Sequence, residues 1–425
     1  MTINYKPLVG LGIIIFLIAA LILRSKKPRI PIWSIMTLAA FITIVTDLIS
    51  VDEIGELIEL DVILFLIGMF SLVALADQSG LLTAIAYYFL SKFKSRYGAM
   101  FGSAFMFGFI AAFATNDAVA LMGPPIAYII AKFIGVDAKI MFLLLAFSLT
   151  IGSTATPIGN PQNILVAVRS GMMAPFIFFL RNLLVPTIIN LVISTFLIIR
   201  FYRIENKQIY IVLIPHEAIK NRRDAILAGV GLLITIAALL INDIFELFGL
   251  PHVKHRGFIP FVVASIIYAL STEPRKIISG IDWGTIIFFI AMFIAMEGIW
   301  RSAVLQPVIG IIHPQKMPLL QEVVAISLIA ILLSQVLSNV PLANLYLGYM
   351  KSIGYVGQDI NAWLTLACAS TIAGNLTLLG AASNIIILEV LESRYSKTIT
   401  FTEFMKIGAL ITVVNMLIYV PFLIL

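Results

Sequence analysis

Long apolar runs recur along the whole chain, and what separates them is short: a few charged residues, or a cluster of glycine, proline and asparagine. About 20 apolar residues wound as a helix cross a hydrocarbon layer roughly 30 Å thick. The pattern therefore predicts membrane spans at about 8–23, 31–50, 62–91, 138–168 and 182–203, and a second set at about 225–247, 257–271, 284–303, 360–391 and 402–425. Two further stretches, 98–134 and 318–353, are too long for one span and are interrupted near their middles, which predicts two re-entrant hairpins. The longest polar stretch, 201–224, leaves no room for a separate soluble catalytic domain. Any chemistry has to take place inside the helical bundle.

Composition sharpens this picture. Hydrophobic residues make up 61% of the 425 and charged residues 12%, against roughly 25% charged in soluble domains. The net charge of +6 matters less than its placement, because basic residues mark the cytoplasmic side. If the loop after the first span is cytoplasmic, that side collects 20 of the 28 basic residues, among them Arg24, Lys26, Lys27, Arg29, Lys92, Lys94, Arg96, Arg200, Arg203, Arg275, Lys276 and Lys397. The opposite side carries Asp52, Glu53, Glu56, Glu59 and Asp61 in its first loop. Ten spans then put both termini outside, in a multi-pass protein of the cell (plasma) membrane. Around the first run, one basic residue precedes and four follow, the reverse of a cleaved signal peptide, so that run is expected to be retained.

The single cysteine, Cys368, excludes an internal disulfide framework and a cysteine metal cluster, and reads as a packed apolar residue. His216, His252, His255 and His313 lack metal-ligand spacing, so no metal site is expected. Neither paired catalytic aspartates nor a His-rich motif is visible. The chain is not expected to be an enzyme, and no catalytic residue is assigned.

The chain also repeats itself. Phe65–Phe70 (FLIGMF) resembles Phe288–Phe293 (FFIAMF), and Thr115-Asn116 resembles Ser338-Asn339, both at an offset of 223 (338 minus 115). Thr156-Pro157-Ile158-Gly159 with Asn163-Ile164 matches Thr377-Leu378-Leu379-Gly380 with Asn384-Ile385 at an offset of 221 (384 minus 163). Five spans separate equivalent positions, and five is odd, so the second half enters the membrane upside down. The expected fold is an all-α polytopic membrane protein of two inverted repeats, each of five transmembrane helices plus one re-entrant hairpin, with helices broken at the midplane. The repeats cover 1–203 and 225–425, joined by a cytoplasmic linker, 204–224.

Lipid cannot hydrogen-bond a freed backbone group, so polar and helix-breaking clusters at membrane depth need protein or a watery cavity around them. Four clusters qualify: the hairpin tips at Thr115, Asn116 and Asp117 and at Ser338 and Asn339, and the runs 152–163 and 374–384. Each would end one helix and begin another, presenting carbonyls that suit cations and amides that suit anions. The candidate ligands are Thr115, Asn116, Asp117, Thr156, Gly159, Asn160, Asn163, Ser338, Asn339, Asn375, Thr377, Gly380, Ser383 and Asn384. Three acids lie deep in predicted spans, where ionisable groups are costly and mark function: Asp117 at the first tip, and Asp77 and Glu297 as candidate coupling acids.

The runs 152–163 and 374–384, with the two Asn-containing tips, resemble the ion transporter superfamily, in particular its arsenite efflux permeases, D-type sodium/proton antiporters and anion permeases with a citrate-transporter-like domain. The resemblance spans nearly the whole chain. It implies that the breaks flank a substrate site, and that scaffold and transport subdomains move in an elevator-like or rocking cycle. The implied activity is secondary active transport of a small anion (an inorganic oxyanion, arsenite or a carboxylate) by alternating access, coupled to an ion gradient. The alternative is sodium/proton antiport through Asp117. No cofactor is expected, with sodium or a proton as candidate coupling ion. The expected partners are a small ion and the lipid bilayer, with a homodimer as a candidate assembly and no nucleic acid.

Overall fold

A computed structural model describes residues 5–26, 30–209 and 215–425. Lys27 and Arg29 of the first basic loop, and part of the linker 204–224, lie outside the described residues. Among the described residues the secondary structure is helical apart from one isolated bridge between Ser95 and Gln208. The helices are α1 (Lys6–Lys26), α2 (Ile32–Val45), α3 (Ile54–Leu57), α4 (Leu60–Gln78), α5 (Leu81–Leu90), α6 (Arg96–Ala114), α7 (Asn116–Ile134), α8 (Ala138–Ser153), α9 (Pro161–Arg169) and α10 (Pro175–Phe201). There follow α11 (Arg222–Leu247), α12 (Phe258–Leu270), α13 (Pro274–Ser279), α14 (Trp283–Arg301), α15 (Gln306–Ile312), α16 (Leu319–Leu337), α17 (Asn339–Ser352), α18 (Ile360–Ile372), α19 (Ala382–Tyr395) and α20 (Phe401–Leu423). Eight of these, α4, α6, α7, α10, α11, α14, α16 and α20, are long and apolar enough to cross a membrane.

The predicted span 62–91 is two helices rather than one. Gly80 sits at φ 83°, and a Cβ there would meet the Ala218 carbonyl oxygen at 2.0 Å, so the chain turns sharply between α4 and the 10-residue α5. Hydropathy does not register a one-residue turn. The runs 138–168 and 360–391 break as their glycine, proline and asparagine content requires, into α8 and α9 and into α18 and α19.

The helices pack in two groups. In one, α14 lies on α2, while α11 and α12 lie on α4. In the other, α6 and α7 enclose α8, α16 packs on α18, α10 on α20, α17 on α9 and α19 on α7. Close packing and interhelical hydrogen bonds hold such bundles, since lipid supplies little hydrophobic drive between helices. Trp363, Tyr346, Tyr419, Phe147 and Phe289 are among the largest fully buried side chains.

Polar ties join the groups. Arg169 at the end of α9 pairs with Glu59, Nε to Oε1 at 2.9 Å, donates to Asn344 of α17 and lies 5.9 Å from the Phe293 ring centroid of α14. At the start of α10 the amides of Ala174 and Phe176 donate to Glu246 Oε2 and Asp243 Oδ2 of α11, each at 2.7 Å. Arg256 pairs with both carboxylates, which offsets the cost of burying Asp243 completely.

The segment leading into α16 is fixed by a buried polar chain. The Tyr355 hydroxyl donates to Glu322 Oε2 at 2.6 Å, so His313 Nε2, 2.9 Å away, donates to Tyr355, and Nδ1 accepts from the Tyr346 hydroxyl at 2.8 Å. The Tyr349 hydroxyl donates to the His313 carbonyl at 2.7 Å. His313 is fully buried, and burial pushes its pKa down to about 4.

Candidate functional site

Each hairpin turns on a single residue. Thr115 joins α6 to α7 at φ 69°, ψ 147°, and Ser338 joins α16 to α17 at φ 69°, ψ 162°. Such values are close to glycine-only backbone space and cost of order 1–3 kcal/mol, which persists only where surrounding structure enforces it. The Thr115 hydroxyl accepts from the Ala118 amide at 3.4 Å, capping α7; Ser338 makes no such cap.

The two breaks are built alike. Thr156 and Thr377 are both extended at φ −137°, and each leads into a three-residue 3-10 turn ending at Gly159 or Gly380. Asn163 Nδ2 reaches back to the carbonyls of Ser153 (3.1 Å) and Thr156 (3.0 Å). Asn384 Nδ2 does the same to Gly374 (2.7 Å) and Thr377 (3.3 Å). These bonds satisfy carbonyls that the interrupted helices leave free. Asn160 caps α9, accepting from Asn163 N at 2.9 Å, and its Nδ2 donates to Ser153 and to Thr371 of α18. A Cβ on Gly159 would meet the Ser153 carbonyl oxygen at 2.1 Å, so this turn closes only around glycine.

Each break is also tied to a hairpin arm. The Thr156 hydroxyl donates to the Ala112 carbonyl of α6. The Thr377 hydroxyl donates to Gln335 Oε1 of α16 at 2.7 Å, and Gln335 Nε2 donates to the Ala373 carbonyl at 3.0 Å. Ala112 and Gln335 stand at the same 223 offset as the tips (335 minus 112).

The N-termini of α7, α9, α17 and α19 converge on one cavity of about 70 Å³. Its wall takes Asn116 and Asp117 from α7, Pro161 and Gln162 from α9, Asn339 from α17 and Ser383 from α19, and is closed by Thr285, Phe288 and Phe289 of α14. No Lys, Arg or His lines it among the described residues. Asn116 Oδ1, Asn339 Oδ1 and Ser383 Oγ are buried without a hydrogen-bond partner among the described residues, a state that costs roughly 1–3 kcal/mol per group. Four helix starts supply amide hydrogens and partial positive charge, and the three unpaired atoms supply polar contacts.

A second cavity, of about 90 Å³, lies behind the first tip and contains three carboxylates, Asp77, Asp117 and Asp282, with Thr115. Asp117 lines both cavities. Asp282 caps α14, its Oδ1 accepting from Thr285 N at 3.0 Å.

Of the residues selected from sequence, Asn116, Asp117, Ser338, Asn339 and Ser383 line the first cavity, and Thr115 and Asp77 the second. Thr156, Gly159, Asn160, Asn163, Thr377, Gly380 and Asn384 do not line the first cavity and instead form the breaks that shape it. Asn375 points to Asn415 at 3.4 Å. Glu297 stands apart from both cavities, its Oε1 accepting from Arg301 Nε at 2.9 Å while Arg301 also binds Glu53. Sequence reasoning missed Thr371, which receives bonds from Asn160 Nδ2 and Gln162 Nε2 at 3.1 and 3.2 Å and so links the two broken helices. It also missed Asp282, Gln335, Arg169 and the Phe288 and Phe289 wall. The repeat itself held one available signal, since it sets Gln335 opposite Ala112.

A family model described as citrate transporter matches residues 13–373. The putative transporter arsB of Dictyostelium discoideum is 23% identical over 524 residues, covering 97% of this chain and 92% of that protein. A 46 kDa membrane protein of Mycobacterium leprae is 24% identical over 384 residues, 84% of each chain, and the inner membrane protein YbiR of Escherichia coli is 26% identical over 289 residues, 67% of each. Among solved structures, the YdaH transporter of Alcanivorax borkumensis has a similar fold, with a TM-score of 0.54 over 99% of this chain and 98% of that one at 14% identity.

Proposed function

The chain belongs to the citrate transporter family, and from that premise we propose that it is a secondary active transporter carrying a small anion, an inorganic oxyanion, arsenite or a carboxylate, by alternating access. One observation carries this reading: four helix N-termini meet at a cavity that no basic side chain lines among the described residues, where the unpartnered Asn116 and Asn339 oxygens suit the hydroxyl of a protonated oxyanion or the coupling cation and the Ser383 hydroxyl can donate to an anion. Amide dipoles attract an anion while remaining neutral, so the site can be emptied again, as a carrier requires. The repeats 1–203 and 225–425 form the two inverted halves, with 204–224 as linker. The paired tips and paired breaks support that division. In this reading the protein resides in the plasma membrane with both termini outside.

An anion in the first cavity faces Asp117. If ionised, that carboxylate repels it; a proton or sodium ion at Asp117 removes the repulsion. Binding of the anion and of the coupling ion then favour each other. The three-carboxylate second cavity equally favours a second reading, sodium/proton antiport through Asp117. Proteoliposomes separate the two: anion uptake that responds to an imposed proton or sodium gradient supports the first, and pH-driven sodium flux with no anion requirement overturns it.

A further inference from the structure

Away from both cavities, a groove of about 310 Å³ runs between the start of α6 and the end of α10. Its wall is apolar where the helices are apolar, from Phe101, Phe196 and Ile199, and polar at the rim, from Arg200, Arg203 and Glu205. Phe196 is 56% exposed on a 27-residue helix of membrane-spanning length, so the wall faces the lipid side of the bundle.

The two arginines differ from those that brace the bundle. Arg169, Arg256 and Arg301 are each held by a carboxylate. Arg96, near the same rim, is occupied by carbonyls, its Nε donating to Ile134 at 2.7 Å and its Nη1 to Glu205 at 3.0 Å. Arg200 and Arg203 are exposed and make no ion pair among the described residues. The end of α10 folds back to keep them together: Ile204 N bonds to Ile199 O at 3.0 Å and Arg203 N to Arg200 O at 3.3 Å, with Arg203 at φ 51°. That closing position is one helices usually give to glycine.

We propose that this groove binds an anionic glycerophospholipid, with the phosphodiester on Arg200 and Arg203 and an acyl chain along Phe101 and Phe196. Guanidinium groups match phosphate oxygens in pairs, and basic rims between membrane helices are where anionic headgroups settle. The Glu205 carboxylate at the same rim can accept from a glycerol hydroxyl, while the two guanidinium groups favour a headgroup of net negative charge over zwitterionic choline. A lipid seated there clamps the first arm of the hairpin that carries Thr115 to α10.

The test uses the full chain in neutral detergent, with unfolding midpoints measured against added phosphatidylglycerol, phosphatidylcholine of the same chains, or inorganic phosphate. The expected result is an upward shift with phosphatidylglycerol that is lost in R200Q/R203Q and kept in R222Q/R275Q, which removes the same charge elsewhere. Equal shifts from phosphatidylcholine, a shift from inorganic phosphate alone, or an undiminished shift in R200Q/R203Q would each overturn the proposal. Native mass spectrometry of the same samples, counting retained lipid, reads the same difference should the double variant unfold at a lower temperature.

Discussion

Thr115 and Ser338 hold nearly the same backbone conformation, φ 69° with ψ of 147° and 162°, each as the sole residue between two helices. Neither is glycine, although glycine would occupy that conformation without strain. Both line a cavity. The proposed site gives these side chains a use that glycine would forfeit.

Replacing Ser338 by Gly is therefore expected to raise stability by about 1 kcal/mol, since no cap is lost, while weakening substrate binding. Thr115→Gly gains less, because the Ala118 amide loses its acceptor. Thermal unfolding of each variant alongside uptake in proteoliposomes checks both halves of the expectation.

Asn116→Ala and Asn339→Ala are expected to abolish transport with stability unchanged or slightly raised. Each removes a buried oxygen that has no protein partner among the described residues. A loss of stability above about 1 kcal/mol would mean that these amides hold the tips together instead.

Asn163→Ala and Asn384→Ala are expected to do the opposite. Each removes a donor serving two carbonyls at a break, and the cost is about 2–4 kcal/mol. Unfolding midpoints in detergent should fall clearly below those of the Asn116 and Asn339 variants.

The paired tips and paired breaks were legible because glycine, proline and asparagine are conspicuous in apolar sequence, and because each occurs twice at nearly the same offset, 223 for the tips and 221 for the breaks. What each amide does was not legible. Asn116 and Asn163 look alike in sequence, yet one lines a cavity and the other braces a break, a difference decided by whether a carbonyl lies within reach. Asp282 escaped notice because its meeting with Asp77 and Asp117 depends on how α4, α7 and α14 pack. Glu297 looked buried by hydropathy, but Arg301 stands four residues on, at ion-pairing distance on the same helix face.

Asp117→Asn removes the one ionisable group common to both cavities. In the anion carrier it is expected to leave substrate binding in place and to erase its dependence on the coupling ion. In an antiporter it abolishes exchange. Binding isotherms at several pH values and sodium concentrations, wild type against variant, distinguish the outcomes.

His313 predicts a pH dependence. Its folded-state pKa of about 4 lies below the free value near 6.5, so the unfolded chain takes up a proton first as pH falls. The contribution is fully present above about pH 6.5 and is lost as pH drops towards about 4, by on the order of 3 kcal/mol. Subtracting the stability profile of His313→Gln from that of the wild type should isolate this slope.

With 19 residues in α6 and in α7, and one between them, the first hairpin has no slack. A long loop could move Asn116 by flexing; a one-residue corner between two helices cannot. Moving Asn116 means moving the lever to which it is fixed, together with the break that Thr156 ties to that lever. In the proposed alternating-access cycle such movement slides one helix surface past another, so a packing substitution between the two helix groups is expected to alter turnover as well as a change at the site itself.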